Sequence, residues 1–460
     1  MNTLIRILFI IGLLSIQQTL KSQSNDSLDF YLKIAAENNP GLKSEYLKYR
    51  ASLEKAVPAG TLPDPQFEFG FFLEPMELVM GNQIANFKLM QMFPWFGTLK
   101  AAEDEASKMT VVNFQSFQNS KNELFYQVKS SYYNLYLLQQ EIKITEENLK
   151  ILRSVEQLVL IKYQSNSGKG SATSPMPSSK ENVNMENGGM GNSSTNDKVN
   201  SSATTSPSMP ASGENKMLNL FRIQMELNTL ENNLTLLQSK LKTGYVSFNR
   251  YLNRPSEYVF IGDTLIPPTL PFNLNSLSDS LINNPMVKML HADSAVYDSR
   301  IRMIHKMNFP MIGVGVNYML INKLHHSNVE TGKDMIMPMV TATLPIYRKK
   351  YSALEREAQL LRSASNNASQ NTINNLKIEF EQTIQQWNDA NRRVTLYTKQ
   401  ARLADESMSI LLTSFSTNGS DFEEILRMQQ ELLDFQFKKI EAITDQNIAA
   451  ASILFLTGQQ

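Results

Sequence analysis

The 460-residue chain has no cysteine, four histidines and two tryptophans, and its 44 Lys and Arg balance 44 Asp and Glu. Without thiols there are no disulfides, no thiolate metal sites, no thiol catalysis and no lipid attached through an N-terminal cysteine. Zero net charge gives no general pull toward nucleic acid or acidic membrane surfaces, so no nucleic-acid partner is expected. No phosphate-cradling Gly-rich motif and no zinc-type histidine spacing occurs, and neither an enzyme nor a cofactor is expected. His325 and His326 are adjacent in a polar stretch and read as solvated, while His291 and His305 stand alone on helical segments. Beyond the first residues, no segment has the ~18 to 20 continuous apolar residues of a membrane helix. If the chain enters a bilayer, it does so as β-structure. Methionine is abundant instead, at 23 residues, and is the one plentiful soft ligand type.

The N-terminus reads MNTLIRILFIIGLLSIQQTLKSQSND. Arg6 supplies a short basic region, Ile7 to Ile16 an apolar run too short to span a bilayer, and small polar residues follow. A cleaved secretory signal is expected over residues 1–22, with export of the rest.

The remainder carries one plan twice. NNPGL (Asn38 to Leu42) recurs as NNPMV (Asn283 to Val287), and PQFEFGF from Pro65 recurs as PMIGVGV from Pro310. FPWFGTLKAAEDEA (Phe93 to Ala106) matches LPIYRKKYSALEREA (Leu344 to Ala358). KYQSNSG (Lys162 to Gly168) matches SFSTNGS (Ser414 to Ser420), and the Leu218 to Leu234 segment matches Phe422 to Ile440. The expected repeats are 23–257 and 258–460, each a helix, two strands, a long helix, a turn and a helix. Val128, Leu135, Ile142 and Leu149 repeat by seven, as do Phe380, Trp387, Val394, Ala401, Met408 and Phe415, and as do Leu220, Leu227, Leu234 and Leu241. Such seams want partner helices in a left-handed coiled coil. Thr98 to Tyr163 contains neither Pro nor Gly. At ~1.5 Å rise per residue it would reach about 100 Å, so a rod or tube is expected.

The strands, expected near 66–73, 84–93, 311–321 and 335–344, have the opposite period. Phe67, Phe69, Phe71 and Leu73 alternate with Gln66, Glu68 and Gly70. Phe87, Leu89 and Phe93 alternate with Asn86, Lys88, Met90 and Met92, Gln91 breaking the apolar row. Ile312, Val314, Val316, Tyr318 and Leu320 alternate with Gly313, Gly315 and Asn317. Ile336, Val340, Ala342 and Leu344 alternate with Met335, Met337, Met339, Thr341 and Thr343. Polar loops are expected at Glu74 to Gly81 and Asn322 to Lys333. Runs of about ten residues suit tilted membrane strands. Two hairpins capping a soluble helical bundle would show the same alternation. Four strands cannot close a barrel around a channel, and open edges are not tolerated in lipid. Three copies would give twelve strands.

These residues resemble the TolC family of outer-membrane efflux ducts. The resemblance rests on the duplicated plan, the Asn-Pro opening each half and the Pro before each first strand. It rests also on FPWFG and LPIY leaving each second strand, and on YQSNSG and FSTNGSDFEEIL as the Tyr-x-x-x-Gly turn of the helical tips. It implies a mainly α fold with transmembrane β, a homotrimer with a shared β-barrel in outer-membrane lipid, and a long periplasmic helical tunnel. It implies partnership with a periplasmic adaptor and an inner-membrane pump. It places Tyr163, Gly168, Phe415, Asn418, Gly419 and Asp421 at the periplasmic mouth. Asp421, Glu423 and Glu424 open a helix there, either complementing its dipole or forming a threefold acidic ring.

The first-half tip departs from the family by an insert over about 165–216, poor in aliphatic and aromatic residues and read as disordered. It keeps Met176, Met185, Met190 and Met209, where no core explains them. With Met335, Met337 and Met339 they are candidate thioether ligands for Cu(I) or Ag(I), against gap-filling as the plain alternative. The family includes a copper/silver branch. A heavy-metal exit duct is the preferred expectation. A duct for drugs or polypeptides, or a periplasmic coiled-coil scaffold that never inserts, are the alternatives.

Overall fold

The computed structural model describes residues 28–78, 81–167, 214–255, 258–259, 261–262, 265, 278–323, 332–418 and 422–459. The expected signal segment, His325, His326 and most of the insert lie outside them. The chain is mainly helical, with one four-stranded antiparallel sheet. Its first half comprises α1 (Leu28–Asn38), α2 (Pro40–Ala59), β1 (Gln66–Leu78), β2 (Gly81–Phe93), α3 (Thr98–Ser167) and α4 (Glu214–Leu252). The second comprises a 3-10 turn (Ser280–Asn283), α5 (Pro285–Met307), β3 (Met311–Asn322), β4 (Met335–Thr343), α6 (Arg348–Asn418) and α7 (Phe422–Thr457). The helices flanking the insert thus reach Ser167 and begin at Glu214.

The described residues of one expected loop, Glu74 to Leu78 and Gly81, are strand instead. Past a register irregularity between Phe71 and Met76, residues Met76, Glu77 and Leu78 pair with Gln83, Asn82 and Gly81. Ladder hydrogen bonds to β2 hold this polar stretch extended, and they outweigh its turn-like composition. Pro75 falls within the irregularity, where a missing N–H is tolerated. Leaving β2, Gly97 takes φ +81°, a conformation side chains disfavour, and α3 starts at the next residue.

The chain divides into two compact units that cut across the two sequence halves. The first gathers the described residues of Met1–Leu137, Lys242–Arg392 and Ala442–Gln460, and includes the sheet. Its core has two matching centres. In one, Tyr31 of α1 packs edge-on against Phe248 of α4, with ring centroids 5.2 Å apart. In the other, Leu281 and Val287 meet Leu376, Phe380, Ile453 and Leu456. The second unit gathers the described residues of Leu138–Leu241 and Arg393–Glu441, from four helices. The heptad seams fill it: Leu149, Leu152, Val155, Ile223, Leu227, Leu230, Met408, Phe415, Phe422 and Ile425 are buried together. Each such side chain contributes about 1.5 to 3 kcal/mol when fully buried.

The repeated Asn-Pro explains itself in atoms. Asn39 Oδ1 accepts from the Leu42 amide at 3.1 Å, capping α2, while its Nδ2 donates to the Tyr251 carbonyl at 3.0 Å. Asn284 Oδ1 accepts from the Met286 amide at 2.9 Å, capping α5, while its Nδ2 donates to the Leu456 carbonyl at 2.9 Å. Proline follows each, at the first helical turn where it loses no hydrogen bond. One side chain therefore caps a helix start and ties it to the end of its half's last helix. Asn284→Ala should cost about 1 to 2 kcal/mol, and Asn284→Asp, which keeps the cap but loses the amide donor, should fall between. Denaturant unfolding of the three proteins in one detergent checks the order.

Candidate functional site

The sheet runs β1-β2-β3-β4, and its register fixes two faces. One is built of cross-strand rows such as Phe67–Leu89–Val316 and Phe69–Phe87–Tyr318–Ile336. Its aromatic and branched side chains are largely exposed: Phe67 is 67%, Phe69 56%, Val316 47% and Ile336 67% accessible. A continuous apolar face of that size is abnormal for a surface in water.

The other face is built of the rows Met92–Gly313–Thr341, Gln66–Met90–Gly315–Met339, Glu68–Lys88–Asn317–Met337 and Gly70–Asn86–Met319–Met335. Every methionine of β2, β3 and β4 falls on this face: Met90, Met92, Met311, Met319, Met335, Met337 and Met339. Met319 and Met311 complete a set that the alternation around Gly313, Gly315 and Asn317 points to once it is extended by two residues each way. Thr341 Oγ1 lies 3.5 Å from Met90 Sδ and 3.9 Å from Met92 Sδ. Gly313 makes room for them, since a methyl group there would overlap both Thr341 Oγ1 and Met92 Sδ. On the same face Lys88 Nζ meets Glu68 Oε2 at 3.0 Å. Among the described residues no group of three or more His, Asp or Glu side chains could hold a metal ion. His305 instead sits 3.2 Å from Glu355, and His291 3.4 Å from Ser369.

In the second unit, Phe415 near the end of α6 and Phe422 at the start of α7 are both buried, with ring centroids 6.0 Å apart. Arg222 of α4 pairs with Glu423, and Arg427 pairs with both Glu424 and Glu431. The hydrogen bond from Arg427 holds the Glu424 carboxyl below the ordinary carboxylate range. Both glutamates of the expected acidic ring thus have arginine partners within the chain, and both remain placed to complement the α7 N-terminus. Buried Gln429 donates to Asn148 Oδ1 at 3.3 Å, and Asn148 donates to Gln436 at 3.1 Å, a polar rung across the seam. Nearby Glu141 is pushed up mainly by burial, with Lys240 opposing and Glu441 adding to the shift.

Solved outer-membrane channels share this architecture. OprN superposes with a TM-score of 0.69 over 94% of this chain and 90% of its own, at 12% identity. CusC gives 0.68 over 94% and 92%, at 13% identity. MtrE of Neisseria gonorrhoeae in its open state gives 0.64 over 94% and 89%, at 13% identity. The fold is the TolC-type channel fold. No family model and no curated protein matches the sequence.

Within the TolC-type fold the expected site residues are distributed unevenly. Met335, Met337 and Met339 share one sheet face with Met90 and Met92. Phe415 is a core residue packed on Phe422. Tyr163 lies in the last turns of α3 and Asn418 ends α6. Gly168, Gly419, Asp421 and the insert methionines Met176, Met185, Met190 and Met209 lie outside the described residues. The Glu424–Arg427 pair has the i,i+3 spacing of a helix-surface pair and is readable from the sequence, whereas Arg222 has no such signal, because it reaches Glu423 only once α4 packs beside α7.

Glu141 generates a pH prediction. Its folded pKa is raised, so the folded chain holds this proton more tightly than the unfolded chain. The group therefore penalises folding above the raised value, and the penalty fades as pH falls to the ordinary carboxylate range. Glu141→Gln should stabilise the protein at neutral pH, and the gain should vanish below about pH 4. Paired melting curves from pH 4 to 8 measure it; a constant difference across that range would contradict it.

Proposed function

We propose that the chain is the outer-membrane channel subunit of a tripartite efflux system, working as a passive exit duct powered by an inner-membrane pump. The observation that carries this is the exposed apolar sheet face on a chain with the TolC-type fold. Among the described residues no helix is long and apolar enough to cross a membrane, so the strands are the available membrane element. Three chains would supply twelve strands and close the edges left by four. The described face of methionine, threonine, asparagine and glycine would then line the lumen. A signal peptide over 1–22, a periplasmic helical extension and a periplasmic adaptor at the tip belong to the same proposal. The apolar face also favours this over a non-inserting scaffold, which would leave those side chains in water.

For cargo we favour Cu(I) or Ag(I), as in a copper/silver branch of the family, over drugs or polypeptides. The support is the confinement of the methionines of β2, β3 and β4 to one face together with the methionines of the insert. Gap-filling methionine has no reason to avoid the apolar face, where long flexible side chains fit equally well.

Two outcomes are expected. Val316→Arg, on the apolar face, should weaken membrane insertion by about 2 to 4 kcal/mol if mid-bilayer, whereas Met337→Arg on the other face should insert and shift ion selectivity toward anions. Planar-bilayer conductance and membrane fractionation read both; wild-type protein released without detergent would sink the channel proposal. Deletion of Asn182–Ser212 should lower copper or silver tolerance of expressing cells and leave dye efflux unchanged. Equal loss of both would point to a docking or assembly role for the insert.

A further inference from the structure

We propose that Met90, Met92 and Thr341, with Met339 beside them, form a thioether site for a soft monovalent cation, Cu(I) or Ag(I), on the inner face of the sheet. The proposal rests on the soft-metal cargo favoured above and deepens it by naming ligands. Four observations converge on this spot rather than on the sheet at large.

First, the sulfurs of Met90 and Met92 are both directed at one hydroxyl, Thr341 Oγ1, at 3.5 and 3.9 Å. Two side chains two residues apart on one strand have been folded toward a common point, which is what a shared ligand needs. Second, the floor beneath them is bare. Gly313 is the residue of β3 opposite Met92 and Thr341, and any β-carbon there would collide with the hydroxyl and with Met92 Sδ. Gly315 occupies the next row, between Met90 and Met339. Third, Met339 precedes Thr341 by two residues on β4, on the same face, so a third thioether flanks the pair. Fourth, the local charge suits a cation. Lys88, the cationic residue nearest along β2 on this face, is matched by Glu68 at 3.0 Å, so it does not stand as an uncompensated repulsive charge.

The chemistry is selective. Thioethers are uncharged and polarizable, and they favour Cu(I) or Ag(I) over hard divalent ions, which demand oxygen ligands. The Thr341 hydroxyl, which is within donating reach of both sulfurs, can rotate away and free their lone pairs. Met90 is nearly buried while Thr341 is exposed, so a bound ion would sit against sulfur and backbone on one side and remain open to solvent on the other. Neutral ligands would also hold a monovalent ion loosely enough to release it, as a duct requires.

The test is titration of the full-length chain in detergent with Ag(I), in chloride-free buffer, followed by calorimetry. Three proteins are compared: wild type, Met90→Leu/Met92→Leu, and Met335→Leu/Met337→Leu. Leucine keeps the volume and apolarity and removes only sulfur. The first pair should lose one binding event per chain or weaken it by about tenfold or more, and the second pair should keep it. Matching isotherms for wild type and Met90→Leu/Met92→Leu, or equal losses in both pairs, would overturn the proposal. If the first pair fails to fold, Met92→Leu alone, at a partly exposed position, should show the same loss, and an unchanged isotherm overturns the proposal equally. Conductance of the same preparations separates the levels. Wild-type channels that conduct while silver binding ignores Met90 and Met92 would refute the site and leave the duct standing. Wild-type protein that never conducts would refute the duct, while the isotherms still decide the site.

Discussion

In the order β1-β2-β3-β4, the two outer strands each pair on one side only. Every other feature of the sheet answers to that constraint. A strand edge carries a row of backbone donors and acceptors, and in hydrocarbon each one left unmet costs several kcal/mol. The prolines of the strands, Pro75 and Pro338, lie on β1 and β4 and not on the two central strands. That is where a missing N–H does least harm to the ladder. An apolar face and two open edges cannot both be satisfied by one copy of the chain in lipid. Symmetric closure by further copies would satisfy both at once, so in the proposed duct assembly and insertion stand or fall together.

The second consequence concerns what lies on the protected face. Because strand side chains alternate, a face turned to lipid leaves the other free to carry polar or chemically special groups. In this sheet the face opposite the apolar one carries sulfur, amides, hydroxyls, glycine and the Lys88–Glu68 pair. The irregularity between Gln83 and Ala85 on β2 slips the pairing by one residue, and beyond it Gln83 and Ile321 meet as a buried pair. Below it the two faces keep strict alternation through to Phe93 and Ile312. The methionines of β2, β3 and β4 therefore lie in the regular part of the sheet, where register holds each thioether at a fixed station.

Much of this was legible in the sequence, for physical reasons. Period-seven seams from Val128 to Leu149 and Phe380 to Phe415 mark packed helices because helix geometry leaves one stripe to bury. Phe67, Phe69 and Phe71 declare a strand face because the pleat has period two. The Asn-Pro pairs declare helix starts, though their second hydrogen bonds, to Tyr251 and Leu456, join residues more than a hundred positions apart. What stayed hidden depends on pairing between segments, near or distant in sequence. The extension of β1 to Leu78 is imposed by β2. The meeting of Met90, Met92 and Thr341 depends on β2 and β4 flanking β3 in one register. The neutralisation of Glu423 by Arg222 requires α4 and α7 to pack side by side.

The choice of ligand type follows from the compartment that an exported chain would occupy. A cysteine pair there is exposed to oxidation and would be lost to disulfide. Histidine titrates near neutrality, so a histidine site would release its metal as the surroundings acidify. The thioether of methionine has no proton to gain in this range and forms no disulfide. Its one chemical weakness is oxidation to the sulfoxide, which would replace soft sulfur by a polar oxygen. Burial opposes that: Met90 is 7% exposed, set against the Gly315 backbone and beneath the Thr341 hydroxyl. A chain with no cysteine, four histidines and the methionines of β2, β3 and β4 gathered on one face thus offers a soft ligand that neither protonation nor disulfide formation disables.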